Sequence, residues 1–168
     1  VITIDCGVEI YAKLNTYALT GWCLHVLAEA SQVKLGVKFE KESLKDELFK
    51  KNLVSLSCFK DGPRLAKEFL ANHGIILQVV DHYKNTYLDG AAFILTNGTP
   101  VVGMTLRYNR TDNFWFVLMH ELGHIACHLS DAKRYFADDM TLRKDDDCKE
   151  EQEADAFAED AFFSKEFN

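Results

Sequence analysis

No stretch of this 168-residue chain approaches the roughly 20 apolar residues that cross a bilayer as a helix. No basic segment followed by an apolar one opens the chain, so no secretory signal is visible. There is no Cys-x-x-Cys pair. The five cysteines, at 6, 23, 58, 127 and 148, are odd in number and widely spaced. Those spacings suggest no disulfide framework and fit a reducing cytoplasm. Internal repeats and low-complexity tracts are missing too. An initiator Met is also missing, which fits either processing or a piece cut from a longer protein.

What remains is ordinary globular composition, 48% hydrophobic and 27% charged. Wholesale disorder is not expected, and the length suits a single domain over residues 1–168. The net charge of −7 is unevenly placed. Residues 1–111 carry 13 basic and 11 acidic groups, whereas residues 112–168 carry 6 basic and 15 acidic ones. An acidic carboxy-terminal third attracts cations and argues against direct nucleic-acid binding, which needs a basic surface.

Apolar spacing predicts a helix over residues 11–30, with Gly21 as its weak point. A more charged helical stretch covers 41–59 and is expected to break near Asn52. Asp61 is a candidate N-cap and Pro63 a first-turn residue for a third helix ending at Gly74. The pattern then turns to strands at 75–80, 91–95 and 100–106, with Asn97-Gly98 as a hairpin signal between the last two. Asp112 is the expected N-cap of a strongly apolar helix from Asn113 to about Leu129. Residues 130–149 read as polar loop, with Tyr135 and Phe136 packing inward. Residues 150–163 close as an amphipathic helix. The implied class is α+β: a sheet of about three strands flanked by helices.

The apolar helix contains His120-Glu121-Leu122-Gly123-His124, an H-E-x-x-H motif. Four residues are little more than one helical turn, so both imidazoles leave the same face and can hold one zinc ion. Glu121 can stand beside a water on that ion as general base. Buried histidines and a glutamate are costly in so apolar a helix unless they serve a purpose. Zinc needs a third protein ligand. In the last helix Glu151 and Asp155 lie four apart on one face. The first can ligate, and the second can accept a hydrogen bond from the far nitrogen of a ligand histidine. Glu150, Glu153 and Cys148 are rivals for the third position. Small residues around Ala154, Ala156 and Ala158 would let this helix pack closely on the first.

The segment Thr111-Asp112-Asn113-Phe114-Trp115-Phe116 running into H-E-L-G-H, followed by Glu151-Gln152-Glu153-Ala154-Asp155-Ala156-Phe157-Ala158, resembles the ImmA/IrrE-type zinc metallopeptidases. The resemblance spans roughly residues 100–163. It implies a small zincin-like, gluzincin-type domain with the H-E-x-x-H helix packed against the sheet. It also implies Zn2+ held by His120, His124 and Glu151, with Glu121 as catalytic base. Family members often follow a helix-turn-helix module, and several cleave a partner repressor. The expected partner is therefore a protein substrate, a DNA-binding repressor, with no membrane. This chain has no convincing helix-turn-helix, and its opening without Met would fit removal of one. Where family members often end on a Leu-x-Pro run, this chain reads Phe162-Phe163-Ser164-Lys165.

Plainer readings stand beside these. The histidines and Glu121 could be buried, hydrogen-bonded core groups, and Glu151 a solvated helix face. Asp155 is more often a surface residue than a partner of a ligand. His128, four after His124, could touch substrate or back up a ligand, although a hydrogen-bonded structural histidine is the commoner case. Cys127 reads as a small core residue and Phe114-Trp115-Phe116 as core. Arg107 and Tyr108 could stabilise an oxyanion or merely pack. An extended substrate could pair with an exposed strand edge at 100–106. The alternative function is a zinc-containing regulatory binding module with little turnover. An intact Glu121 favours chemistry, because a purely structural site has no use for a base.

Overall fold

The computed structural model describes residues 5–84, 86, 88–105, 111–130, 135–137 and 149–163, without the side chains of 5–16, 111–112 and 135–137. The first helix, α1 (Asp5–Gln32), runs straight through Gly21. A 3-10 turn (Lys41–Lys45) leads to α2 (Glu47–Ser55), a second short turn (Leu56–Cys58) and α3 (Gly62–Ala71). The expected break near Asn52 falls instead at Asp46. There the backbone is extended, and the Asp46 carboxylate accepts the Leu48 N–H at 2.9 Å. A satisfied N-cap outweighs the weak helix preference of an interior asparagine, so α2 continues through Asn52. Asp61 precedes α3 without a side-chain cap, and Pro63 occupies the first turn.

Three strands follow the expected pattern: β1 (Ile76–Val79), β2 (Gly90–Ile94) and β3 (Pro100–Met104). Asn97-Gly98 closes the β2–β3 hairpin, with Gly98 at φ +85° and the Leu95 N–H donating to the Thr99 carbonyl at 2.9 Å. The helix α4 (Thr111–Cys127) starts two residues before the predicted Asn113, so Asp112 lies inside its first turn. Next comes β4 (Tyr135–Ala137), a three-residue strand in a stretch that reads as loop. The chain closes with α5 (Lys149–Phe163).

The strand order is β1-β3-β2-β4, with β1 parallel to β3 and β2 antiparallel to both of its neighbours. This corrects one expectation. Residues 100–104 are interior, paired on both sides and wholly buried, so they offer no edge.

Strand alternation sends alternate side chains to opposite faces. One face presents Leu77, Ala92, Val102 and Met104 to a core shared with α2, α3, α4 and α5. The other presents Ile76, Ala91, Phe93 and Val101 to Trp22, Val26 and Ala30 of α1. Helix α4 is thus packed between the sheet and α5, and its polar motif is enclosed on both sides.

Candidate metal centre

Helix α4 buries Phe114, Trp115, Leu118, Met119, Leu122 and Ile125, as its apolar pattern requires. Three polar residues are buried with them: His120 at 6% exposure, Glu121 at 1% and His124 at 0%. Burial of such groups is costly unless each finds a partner. Helix α5 supplies several. Its Ala154, Ala158 and Ala161 are buried against the core. Across from them Gly123 has no side chain: a Cβ there would lie 3.1 Å from the Ala154 Cα and 3.1 Å from the Phe157 Cβ. The two backbones therefore approach closely enough for short acidic side chains of α5 to reach the imidazoles. On its other side α5 is tied to α2 by Lys50. The Lys50 Nζ lies 2.6 Å from Asp160 Oδ2 and 4.8 Å from the centre of the Phe157 ring.

His120 Nε2 and His124 Nε2 face each other at 2.9 Å. Glu151 stands over the pair, with Oε2 3.4 Å from His120 Nε2 and Oε1 3.5 Å from His124 Nε2. Ligand atoms of His120, His124 and Glu151 all lie within 4.8 Å of one another. Bonds of about 2.0–2.1 Å in a tetrahedron put ligand atoms about 3.3–3.4 Å apart. Both histidine–glutamate separations are close to that span, and the two nitrogens, at 2.9 Å, lie inside it. Two imidazoles and one carboxylate are also the donor set that suits zinc while leaving a position open. The residues present fit the ion.

Around this inner set lie three more side chains. Asp155 Oδ1 is 2.8 Å from His120 Nδ1. His128 Nδ1 is 3.0 Å from His124 Nδ1, and His128 Nε2 is 3.0 Å from Glu153 Oε2. Burial opposes a charge on His120, but the Glu151 carboxylate and the charges of Glu121 and Asp155 outweigh it and push the imidazole up to about 8. Hydrogen bonds from His128 and Lys149 hold the Glu153 carboxyl below its ordinary value.

Glu121 lies on the sheet side of the motif. An ideal Cβ on Gly90, the first residue of β2, would fall 2.5 Å from Glu121 Oε1. Bare backbone is all that fits beside this carboxylate.

Each sequence candidate thus has a place. His120, His124 and Glu151 converge, Asp155 meets His120, His128 meets His124, and Glu121 is walled in beside them. Of the rival ligands, Glu153 bonds His128 instead, and Glu150 is not in the cluster. Cys148, Arg107 and Tyr108 fall outside the described residues. Two packing expectations fail: Cys127 is exposed, and Phe116, unlike Phe114 and Trp115, is 38% exposed, its ring centre 6.4 Å from that of His120. Sequence reasoning missed Gly90 and the task of Glu153. Only the alternation of acidic residues at 151, 153 and 155 hinted at the second.

A model of the IrrE N-terminal-like domain family (Peptidase_M78) matches residues 66–165, from α3 through α5. No curated protein and no solved structure matches the chain.

Proposed function

The chain belongs to the IrrE N-terminal-like family of metallopeptidases, and from that premise we propose that it is a zinc-dependent endopeptidase acting on a protein partner, in particular a DNA-binding repressor. One observation carries the reading: the Nε2 atoms of His120 and His124 and the Glu151 carboxylate converge, and the buried Glu121 carboxylate is close enough for its charge to act on His120. His120, His124 and Glu151 would hold the zinc. When bound, the ion supplies Lewis-acid activation of water and of the scissile carbonyl.

The remaining work falls to the chain's own residues. Glu121 accepts the proton of the attacking water and passes it to the leaving amine. Its burial beside Gly90 keeps the carboxylate in one orientation and away from bulk solvent. Asp155 accepts the Nδ1–H of His120, which leaves the Nε2 lone pair for the metal. His128 stands in the same relation to His124. Among the described residues β4 is the outer strand beside β2. Of the two outer strands, β1 and β4, it is β4 that pairs with β2 next to Gly90 and Glu121, so an extended substrate would add to β4 and not to residues 100–104.

A cytoplasmic setting agrees with free Cys23, Cys58 and Cys127, and no helix of the described residues is long and apolar enough to cross a membrane. We read residues 1–168 as one domain, able to follow a helix-turn-helix module, with the acidic carboxy-terminal third disfavouring direct contact with nucleic acid. A binding module without turnover gains no support from a buried carboxylate held at the ligand cluster.

The test uses Glu121→Gln, which is nearly isosteric and leaves both histidines in place. Proteins that co-purify with this variant are incubated with wild type and variant, each assayed for bound zinc. Cleavage by wild type, with a loss of about 10²–10⁴-fold in the zinc-loaded variant, is expected. Equal cleavage by both, or a wild type that binds no zinc, refutes the proposal.

A further inference from the structure

The two histidines of the motif are held in different ways. His120 Nδ1 meets a carboxylate directly, at 2.8 Å from Asp155. His124 Nδ1 meets another imidazole, His128, at 3.0 Å, and that imidazole meets Glu153 at 3.0 Å. Exposure rises along this second chain. The side chain of His124 is 0% exposed, that of His128 is 6% and that of Glu153 is 44%. A buried ligand is thereby connected to a surface carboxylate through a second imidazole.

The protons on this chain have one arrangement compatible with a metal. The Nε2 atoms of His120 and His124 face each other and Glu151, so both must present lone pairs to a cation there. A neutral imidazole carries a single N–H, which for His124 then sits on Nδ1. That N–H donates to His128 Nδ1, which must be the bare nitrogen of its ring. The proton of His128 is therefore on Nε2, and it donates to Glu153 Oε2. The other tautomer of His128 would set N–H against N–H at 3.0 Å and leave Nε2 with no proton to give the carboxylate.

We propose that His128 and Glu153 form a positioning relay that fixes the tautomer and ring plane of His124 for metal binding. The proposal rests on the reading of His120, His124 and Glu151 as ligands. Neither relay residue belongs to the ligand cluster. The alternating acids of α5 thereby divide three tasks: Glu151 ligates, Glu153 ends the relay from His124, and Asp155 restrains His120. Outer hydrogen-bond partners of this kind typically contribute about 10–100-fold to metal affinity.

The experiment is a zinc titration of the full chain against a competing chelator, run beside thermal unfolding of the metal-free protein. His128→Leu fills the space without an acceptor and should raise the Kd for zinc about 10–100-fold. His128→Asn keeps an oxygen near the place of Nδ1 and should recover most of that loss, which a merely space-filling histidine would not show. Glu153→Ala removes the acceptor at the surface, where folding is not at risk, and should raise the Kd about tenfold. Lys149→Ala removes the other partner of Glu153 and should leave the Kd unchanged. Zinc binding by His128→Leu and Glu153→Ala equal to wild type overturns the relay, and if His128→Leu does not fold, Glu153→Ala decides alone. Failure of the wild type to bind zinc overturns the ligand reading itself, a different result from wild-type and variant proteins that bind it equally well.

Discussion

Gly123 and Ala154 stand backbone to backbone across the α4–α5 crossing, with room for a hydrogen but not for a methyl group without displacement. This contact sets how far Glu151 stands from the imidazoles, because ligand and contact lie within one turn of each other on α5. Gly123→Val should therefore push the helices apart. A loss of about 1–3 kcal/mol from overpacking is expected, together with weaker zinc binding. Urea denaturation and chelator competition on the same protein check both halves. Unchanged zinc affinity would show that the crossing does not control the ligand distance.

Gly90→Ala should act on the base and not on the metal. The added Cβ would collide with Glu121 Oε1, so the carboxylate must turn away from its observed orientation. Misplacement of a catalytic group by about 1 Å can cost about 10²-fold in rate. Turnover should fall by up to that factor while bound zinc stays at one equivalent. A variant that loses zinc in parallel with rate would place Gly90 in the metal site's architecture instead.

The metal-free protein should lose stability as pH rises from 6.5 to about 8. The folded-state pKa of His120 is raised from 6.5 to about 8, because burial is outweighed by the surrounding carboxylates. A raised pKa means the folded state holds the proton more tightly than the unfolded state. The gain is complete below 6.5 and is lost as pH climbs through 8, with a size of at most about 2 kcal/mol. Saturating zinc competes with that proton, so zinc affinity should rise over the same interval. Melting curves at several pH values, with chelator and with zinc, measure both trends. Metal-free His120→Asn should lack the pH trend; if it keeps the trend, His120 is not its source.

Lys50→Met tests the hold on the back of α5. The ion pair with Asp160 is short, but Asp160 is half exposed, so solvent screens it. A loss of about 1 kcal/mol is expected, read as a lower urea midpoint. No loss would leave α5 secured by its apolar face alone.

The sequence made the inner site readable for a local reason. The spacing of His120 and His124 and that of Glu151 and Asp155 are each complete within a single helix, where four residues define a face. Features that depend on two elements meeting were not readable in this way. Gly90 looks like any glycine at a strand end until β2 is laid against α4. Glu153 looks like a solvated acid, and so a rival ligand, until the crossing brings it to His128. Strand β4 is three residues long, too short to show alternation, and it exists because β2 offers a partner. Exposed Phe116 and Cys127 sit on an otherwise apolar helix, and periodicity alone cannot say how wide its buried face is.

The parallel pairing of β1 with β3 has a consequence for the order of assembly. Ile76 pairs with Val101 across the whole β2 excursion, whereas Ile94 pairs with Pro100 across one tight turn. Closure entropy favours the short loop, and hairpins form in about 1–10 μs. The β2–β3 hairpin is the natural nucleus, with β1 docking onto it afterwards. Gly90, the wall behind Glu121, belongs to that early hairpin, while Glu151 joins from α5. The surroundings of Glu121 thus form before the candidate ligand set is completed by α5. A chain emerging amino-terminus first cannot assemble a full metal site until α5 has left the ribosome.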